Sequence, residues 1–98
     1  VRVLPNPHWR ADLRPFTGRD DAIIDFLQQH EASHDMLEDI HHFVKRWLPA
    51  FAESDRSYVT VAIGCTGGRH RSVFITEQLA KRLRDEGTPL QVRHRELD

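Results

Sequence analysis

The sequence has almost no cysteine: Cys65 is the only one among 98 residues. A single cysteine rules out a disulfide within the chain, and its place in a polar loop indicates a reduced thiol, which predicts a cytoplasmic protein. The sequence also lacks any run of about 18 to 20 apolar residues, so it predicts no membrane-spanning segment and no membrane partner. These absences argue against two classes, disulfide-rich secreted domains and integral membrane proteins.

An excess of charge of either sign is missing as well. Fourteen lysines and arginines oppose 15 aspartates and glutamates, which leaves a formal net charge of -1. Global charge therefore gives no support for binding to nucleic acid or to a membrane surface. The length suits one domain. The first residues have no methionine and no signal-peptide pattern, and they are typical of the middle of a strand, which predicts a piece of a longer protein.

Apolar patterning predicts strands and helices in alternation. Strands are predicted over Val1–Leu4, Tyr58–Ile63 and Leu90–Arg95, and the middle one is so apolar that we expect it to be a central strand covered on both faces. A turn is predicted over residues 54–57. The predicted helices cover Ala22–Gln29, a long apolar stripe from Met36 to Phe51 with Ser33 as its N-cap, and Arg71–Asp85, which Gly87 ends.

This order of elements predicts an α/β fold class. We expect a small three-layer domain with a mostly parallel sheet, helices on its faces and right-handed crossovers. In such a fold, ligands collect beyond the carboxyl ends of the strands. The loop that follows the predicted central strand is therefore the first place to look for a functional site.

That loop, Gly64-Cys-Thr-Gly-Gly-Arg-His-Arg-Ser72, has the composition of an anion site. A helix start leaves backbone N–H groups unpaired and adds the positive end of the helix dipole. Glycines allow the main chain to wrap around an anion, arginine offers a bidentate fork, and hydroxyl and imidazole groups add hydrogen bonds. The predicted ligand-binding residues are Cys65, Thr66, Gly67, Gly68, Arg69, His70, Arg71 and Ser72.

Cys65 and Arg71 also fit a catalytic alternative. They match Cys-x5-Arg-Ser, the spacing of cysteine-dependent phosphatases, in which a thiolate lies beneath a bound phosphate. The sequence does not single out the general acid that such an enzyme needs, because Asp12, Asp20, Asp21 and Asp55 are all possible. Cys65 could instead be a small buried residue at a strand end. No metal site is predicted, because the histidines of the long helix lack the spacing of zinc ligands.

The loop and its surroundings resemble a known family, the carboxyl-terminal domain of the RapZ (YvcJ-like) nucleotide-binding RNase adaptors. The likeness rests on Ile63-Gly-Cys-Thr-Gly-Gly-Arg-His-Arg-Ser-Val73 and on Val3-Leu-Pro-Asn-Pro-His-Trp9. It continues through Leu13-Arg-Pro15, Trp47-Leu-Pro49 and Arg93-His-Arg95, and so spans nearly the whole chain.

The resemblance implies a regulatory domain that senses glucosamine-6-phosphate without turning it over. It implies a ligand role for the loop residues and adds His8, which without it would be taken for an ordinary loop histidine. It also implies a single ligand-binding domain over residues 1–98, whose ATP- and GTP-binding P-loop domain lies elsewhere, since Gly-x4-Gly-Lys-Ser/Thr is missing here. A homo-oligomer and a small RNA partner are further implied, although Thr88 stands where the RNA-binding members carry lysine.

Overall fold

The architecture of the described residues is helical. The computed structural model describes residues 1–53 and 58–97. This part of the chain contains a 3-10 turn over Pro7–Trp9 and three α-helices: α1 over Asp21–Gln28, α2 over Glu31–Ala52 and α3 over Arg71–Asp85. Within these two ranges no residue belongs to a β-strand. The predicted α/β class, with its mostly parallel sheet, is therefore wrong.

The first and last predicted strands do not form, because side-chain hydrogen bonds rather than backbone pairing attach these two segments to the rest of the molecule. Residues 1–4 form a turn in which the amide of Leu4 donates to the carbonyl of Val1 over 3.3 Å. The carbonyls of Arg2 and Leu4 accept hydrogen bonds from the Arg71 guanidinium instead of from a neighbouring strand. The last predicted strand is attached through the buried ring of His94. Extended segments become strands only when their backbone groups pair with each other.

The predicted central strand, Tyr58–Ile63, follows an irregular path and remains largely uncovered. The side chain of Tyr58 is 83% exposed and that of Val61 is 47% exposed. The segment runs beside an apolar stripe of α2, and the two line an open groove of about 610 Å³. The expected cover on both faces is missing from the described residues. The predicted turn over residues 54–57 lies outside them.

The helices themselves were largely predictable. α1 lies within one residue of its predicted range, and α3 covers its predicted range. Gly87 follows the end of α3 with a φ of 88°, which turns the chain so that the amide of Thr88 donates to the carbonyl of Leu83 over 2.9 Å. α2 begins earlier than predicted, with His30 at its N-cap and Ser33 buried inside it. Pro49 is accommodated in the last turn, and the helix ends only at Ala52.

One apolar core joins the three helices to the amino-terminal loop. Its buried members are Leu4, Leu13, Ile23, Leu27, Leu37, Val44, Phe74, Ile75, Leu79 and Leu83. Ion pairs link α2 to the end of α3, where Glu86 accepts from both His41 and Lys45 over 2.6 Å. Five residues of the α2 stripe belong to the core or pack against it, and the other three, Phe43, Trp47 and Phe51, are exposed. None of the described helices combines the length and the apolarity that crossing a membrane requires.

Candidate functional site

The loop that precedes α3 is clamped to the amino-terminal half of the molecule. The amide of Gly18 donates to the carbonyl of Arg69 over 2.8 Å. A Cβ on Gly18 would lie 2.3 Å from the amide nitrogen of Phe74 and 2.5 Å from the carbonyl oxygen of His70, far inside contact distance. Only glycine permits this approach. The start of α3 is therefore fixed in position by backbone contacts.

The sulfur of Cys65 caps the first turn of α3. It accepts from the amide of Gly68 over 3.3 Å and from the amide of Ser72 over 3.4 Å, and the hydroxyl of Ser72 lies 3.3 Å away. Partial burial raises the pKa of the Cys65 thiol, but the hydrogen bonds with Ser72 and Gly68 and the charge of Arg71 outweigh it. The net result is a pKa below the ordinary value for cysteine.

Arg71 lies beneath the loop as a buried cation, with only 5% of its surface exposed. Its Nη1 donates to the carbonyls of Arg2 and Leu4 over 2.6 and 3.2 Å, and its Nη2 donates to the hydroxyl of Thr66 over 3.3 Å. Within residues 1–53 and 58–97, no carboxylate forms a salt bridge with it. Within the described part of the chain the Arg71 guanidinium therefore donates to neutral oxygens, and its charge also helps to lower the pKa of Cys65.

His70, the N-cap residue of α3, is a second buried ionisable side chain at this junction. The residue is 8% exposed, and its Nε2 has no hydrogen-bond partner in the described part of the chain. Burial lowers the pKa of the His70 ring, and the backbone of Phe16 and Arg14 raises it. The charges of Arg69 and His8 lower it again, so that the pKa lies below the ordinary value for histidine. His8 is an exposed residue of the proline-rich loop, and its charge contributes to this shift.

The outer side of the loop is open. Thr66, Gly67 and Arg69 are exposed, and Gly68 alone of the glycine pair has a positive φ, at 73°. Among the hydrogen bonds of the described residues, none uses the amides of Thr66, Gly67, Arg69 or His70. The loop thus leaves these four N–H groups without hydrogen-bond partners among the described residues, close in the chain to a buried guanidinium, and this combination suits an anion.

The structure places the predicted residues as follows. Hydrogen bonds join Cys65 to Gly68 and Ser72, and a separate hydrogen bond joins Thr66 to Arg71. The charge of His8 contributes to the lowered pKa of His70. Sequence reasoning missed Glu96, whose side chain lies across Gly68. No signal marks Glu96, because nothing in its local pattern predicts that the carboxyl-terminal segment returns to the loop.

The geometry gives less support to a metal site or to a general acid for phosphatase chemistry. Among the described residues, no three histidine, cysteine or acidic side chains are arranged to hold a metal ion. Of the possible general acids, Asp12 pairs with Arg10, and Asp20 accepts from the amide of Thr17. Asp55 lies outside the described residues.

Fold and site together define a small helical domain in which the loop before α3 offers free amides, a buried arginine and a buried histidine. Comparison with known proteins then gives the family. The model of the RapZ C-terminal domain matches residues 1–98, and this chain belongs to that family.

Three relatives illustrate the family. A nucleotide-binding protein of Alcanivorax borkumensis is 84% identical over 97 residues, 99% of this chain and 34% of the relative. A nucleotide-binding protein of Methylibium petroleiphilum is 61% identical over 98 residues, all of this chain and 32% of the relative. An RNase adapter protein RapZ of Hamiltonella defensa is 51% identical over 98 residues, all of this chain and 34% of the relative. The chain thus spans about one third of the length of the relatives it matches.

Proposed function

We propose that this domain is a regulatory module that binds a sugar phosphate such as glucosamine-6-phosphate, through its phosphate group, at the loop from Cys65 to Ser72. It binds this ligand and does not convert it. The observation that carries the proposal is the buried guanidinium of Arg71, which has no carboxylate partner among the described residues.

A buried cation with no anionic partner is costly, because the interior screens charge poorly. In most folds an aspartate or glutamate provides the balancing charge. Here the Nη2 of Arg71 points to Thr66, at the edge of the loop with free amides. A phosphate group bound there would balance the charge and accept from several N–H groups at once. The unpartnered Nε2 of His70 would gain a partner as well.

The names of the relatives extend the proposal to the whole protein. Because several relatives are named nucleotide-binding proteins, we place ATP or GTP binding in the part of the protein outside this domain, whose own site needs no cofactor. The name RNase adapter motivates a partner in an RNA pathway. The exposed side chains of Arg93 and Arg95 would be its contacts in this domain. A homo-oligomer in the cytoplasm is the assembly we expect.

Isothermal titration calorimetry tests the ligand. The full-length protein is titrated with glucosamine-6-phosphate, and saturable binding is expected. His70→Ala removes an imidazole from the site and should weaken binding about tenfold or more, the usual cost of a hydrogen bond to a charged group. His42→Ala is the matched control, since His42 is exposed on α2. No binding by the wild type, or equal affinities in the two variants, would overturn the proposal.

A second function deserves a test because of one observation: three polar groups converge on the Cys65 sulfur and lower its pKa. This favours a thiolate, the nucleophile of a cysteine-dependent phosphatase. Hydrolysis of p-nitrophenyl phosphate that disappears in Cys65→Ser would establish this activity. An inert wild type at high protein concentration would remove it and leave the binding proposal intact.

A further inference from the structure

The carboxyl-terminal segment places an acidic side chain on the rim of the loop. Gly68 has a φ of 73°, and a Cβ built on it would lie 2.6 Å from Cγ of Glu96. Cβ and Cδ of Glu96 would lie 3.5 and 3.8 Å from the same point. The aliphatic part of the glutamate therefore crosses directly over Gly68, which brings the carboxyl carbon of Glu96 to the rim of the loop.

This carboxylate has no cation of its own. Glu96 is exposed, and within the described residues it forms no ion pair and accepts no hydrogen bond. A negative charge beside an anion site weakens the binding of any purely anionic ligand, since like charges repel across a few ångströms. The same charge attracts a ligand that carries a cationic group near its phosphate. The two effects act in opposite directions on two classes of ligand.

We propose that Glu96 is a specificity-determining residue, which makes the loop prefer phosphate ligands that also carry an ammonium group. The inference rests on the proposed function of the loop. A phosphate held by the amides around Gly68 leaves the rest of the ligand near Glu96, where a protonated amine meets a carboxylate and a hydroxyl group does not. The discrimination comes from attraction to the amine and from repulsion of ligands that lack it.

Two sugar phosphates that differ at a single group test this inference. Calorimetric titrations at pH 7 compare glucosamine-6-phosphate, which carries an ammonium group, with glucose-6-phosphate, which carries a hydroxyl group in its place. The proteins are the full-length wild type, Glu96→Gln and Glu31→Gln. The glutamine variant at position 96 keeps the shape of the side chain and removes its charge. Glu31 is an exposed glutamate at the start of α2 and provides the matched control.

The wild type should bind the amino sugar about five times more tightly or better, as expected for one partly exposed charge pair. Glu96→Gln should reduce that ratio to about two or less, with tighter binding of glucose-6-phosphate, and Glu31→Gln should leave it unchanged. If the wild type binds both sugars equally, or if the ratio survives in Glu96→Gln, the role of Glu96 is wrong and the phosphate site stands. If the wild type binds neither, the proposed function fails, and the role of Glu96 fails with it.

Discussion

Two neighbouring stretches of the chain, Tyr58–Ile63 and the first turn of α3, reverse the usual relation between sequence and burial. The first is nearly all apolar, yet Tyr58 and Val61 are largely exposed. The second begins with Arg71 and Ser72 and follows the N-cap residue His70, and all three are buried. Apolar composition therefore does not decide burial by itself. The polar stretch is covered because other parts of the chain provide hydrogen-bond partners and close packing, whereas the apolar stretch has an open groove beside it.

Tight backbone packing is expected where Gly18 meets the start of α3, and no such packing is expected at the exposed Gly67. Gly18→Ala should lower the free energy of unfolding by about 3 kcal/mol or more, because the new Cβ would overlap the backbone at Phe74 and His70. Gly67→Ala should cost about 0.5 kcal/mol or less, because nothing lies within 4 Å of its Cβ position. Urea unfolding measures both. Equal effects would mean that the clamp at Gly18 is absent in solution.

A pair of valines compares the two stretches directly. Val73 is 1% exposed on α3, and Val61 is 47% exposed. Val73→Ala should lower the free energy of unfolding by about 2 kcal/mol, through lost burial and the cavity that remains. Val61→Ala should change it by less than about 0.5 kcal/mol. A large loss for Val61→Ala would show that the extended segment is buried after all.

The hydrogen bond between Glu77 on α3 and His94 near the carboxyl terminus predicts that the stability of the fold depends on pH. Burial raises the pKa of Glu77, but hydrogen bonds from His94 and Arg19 outweigh it and lower the pKa below the ordinary 4.5. The charged carboxylate therefore stabilises the fold above pH 4.5, and this contribution is lost as the pH falls through the lowered value.

Glu77→Gln should accordingly reduce the free energy of unfolding by about 1 kcal/mol at pH 7, and the gap to the wild type should shrink in acid. Asp25→Asn, an exposed site on α1, is the control and should show no such gap. Urea unfolding at a series of pH values provides the measurement. A gap that persists unchanged into acid would contradict the assignment.

The smallest effect concerns the thiol. Ser72→Ala removes a hydrogen-bonding hydroxyl from Cys65, so the thiol pKa should rise and alkylation by iodoacetamide at pH 7 should slow about two- to threefold. Ser33→Ala, buried in α2, should leave the rate unchanged. An unchanged rate in Ser72→Ala would mean that the loop amides alone set the reactivity of Cys65.

Local patterns predicted local structure well. The spacing of apolar residues and the position of Gly87 predicted α3 and where it ends. The motif from Cys65 to Ser72 predicted a loop, and several of its residues contact each other. The sheet could not be predicted correctly, because a β-rich pattern such as that of residues 58–63 says nothing about whether a partner strand is present. Nor could the pattern show that the carbonyls of Arg2 and Leu4 are taken by Arg71, or that Glu96 returns to Gly68.

The central claim is that the free amides above Arg71 hold a phosphate group. The most direct measurement is a titration of the isotope-labelled protein with glucosamine-6-phosphate, followed by two-dimensional NMR of the backbone amides. Saturable shifts should be largest for Thr66, Gly67, Gly68, Arg69 and His70. Shifts that are absent there, or that concentrate along Tyr58–Ile63 instead, would contradict the account.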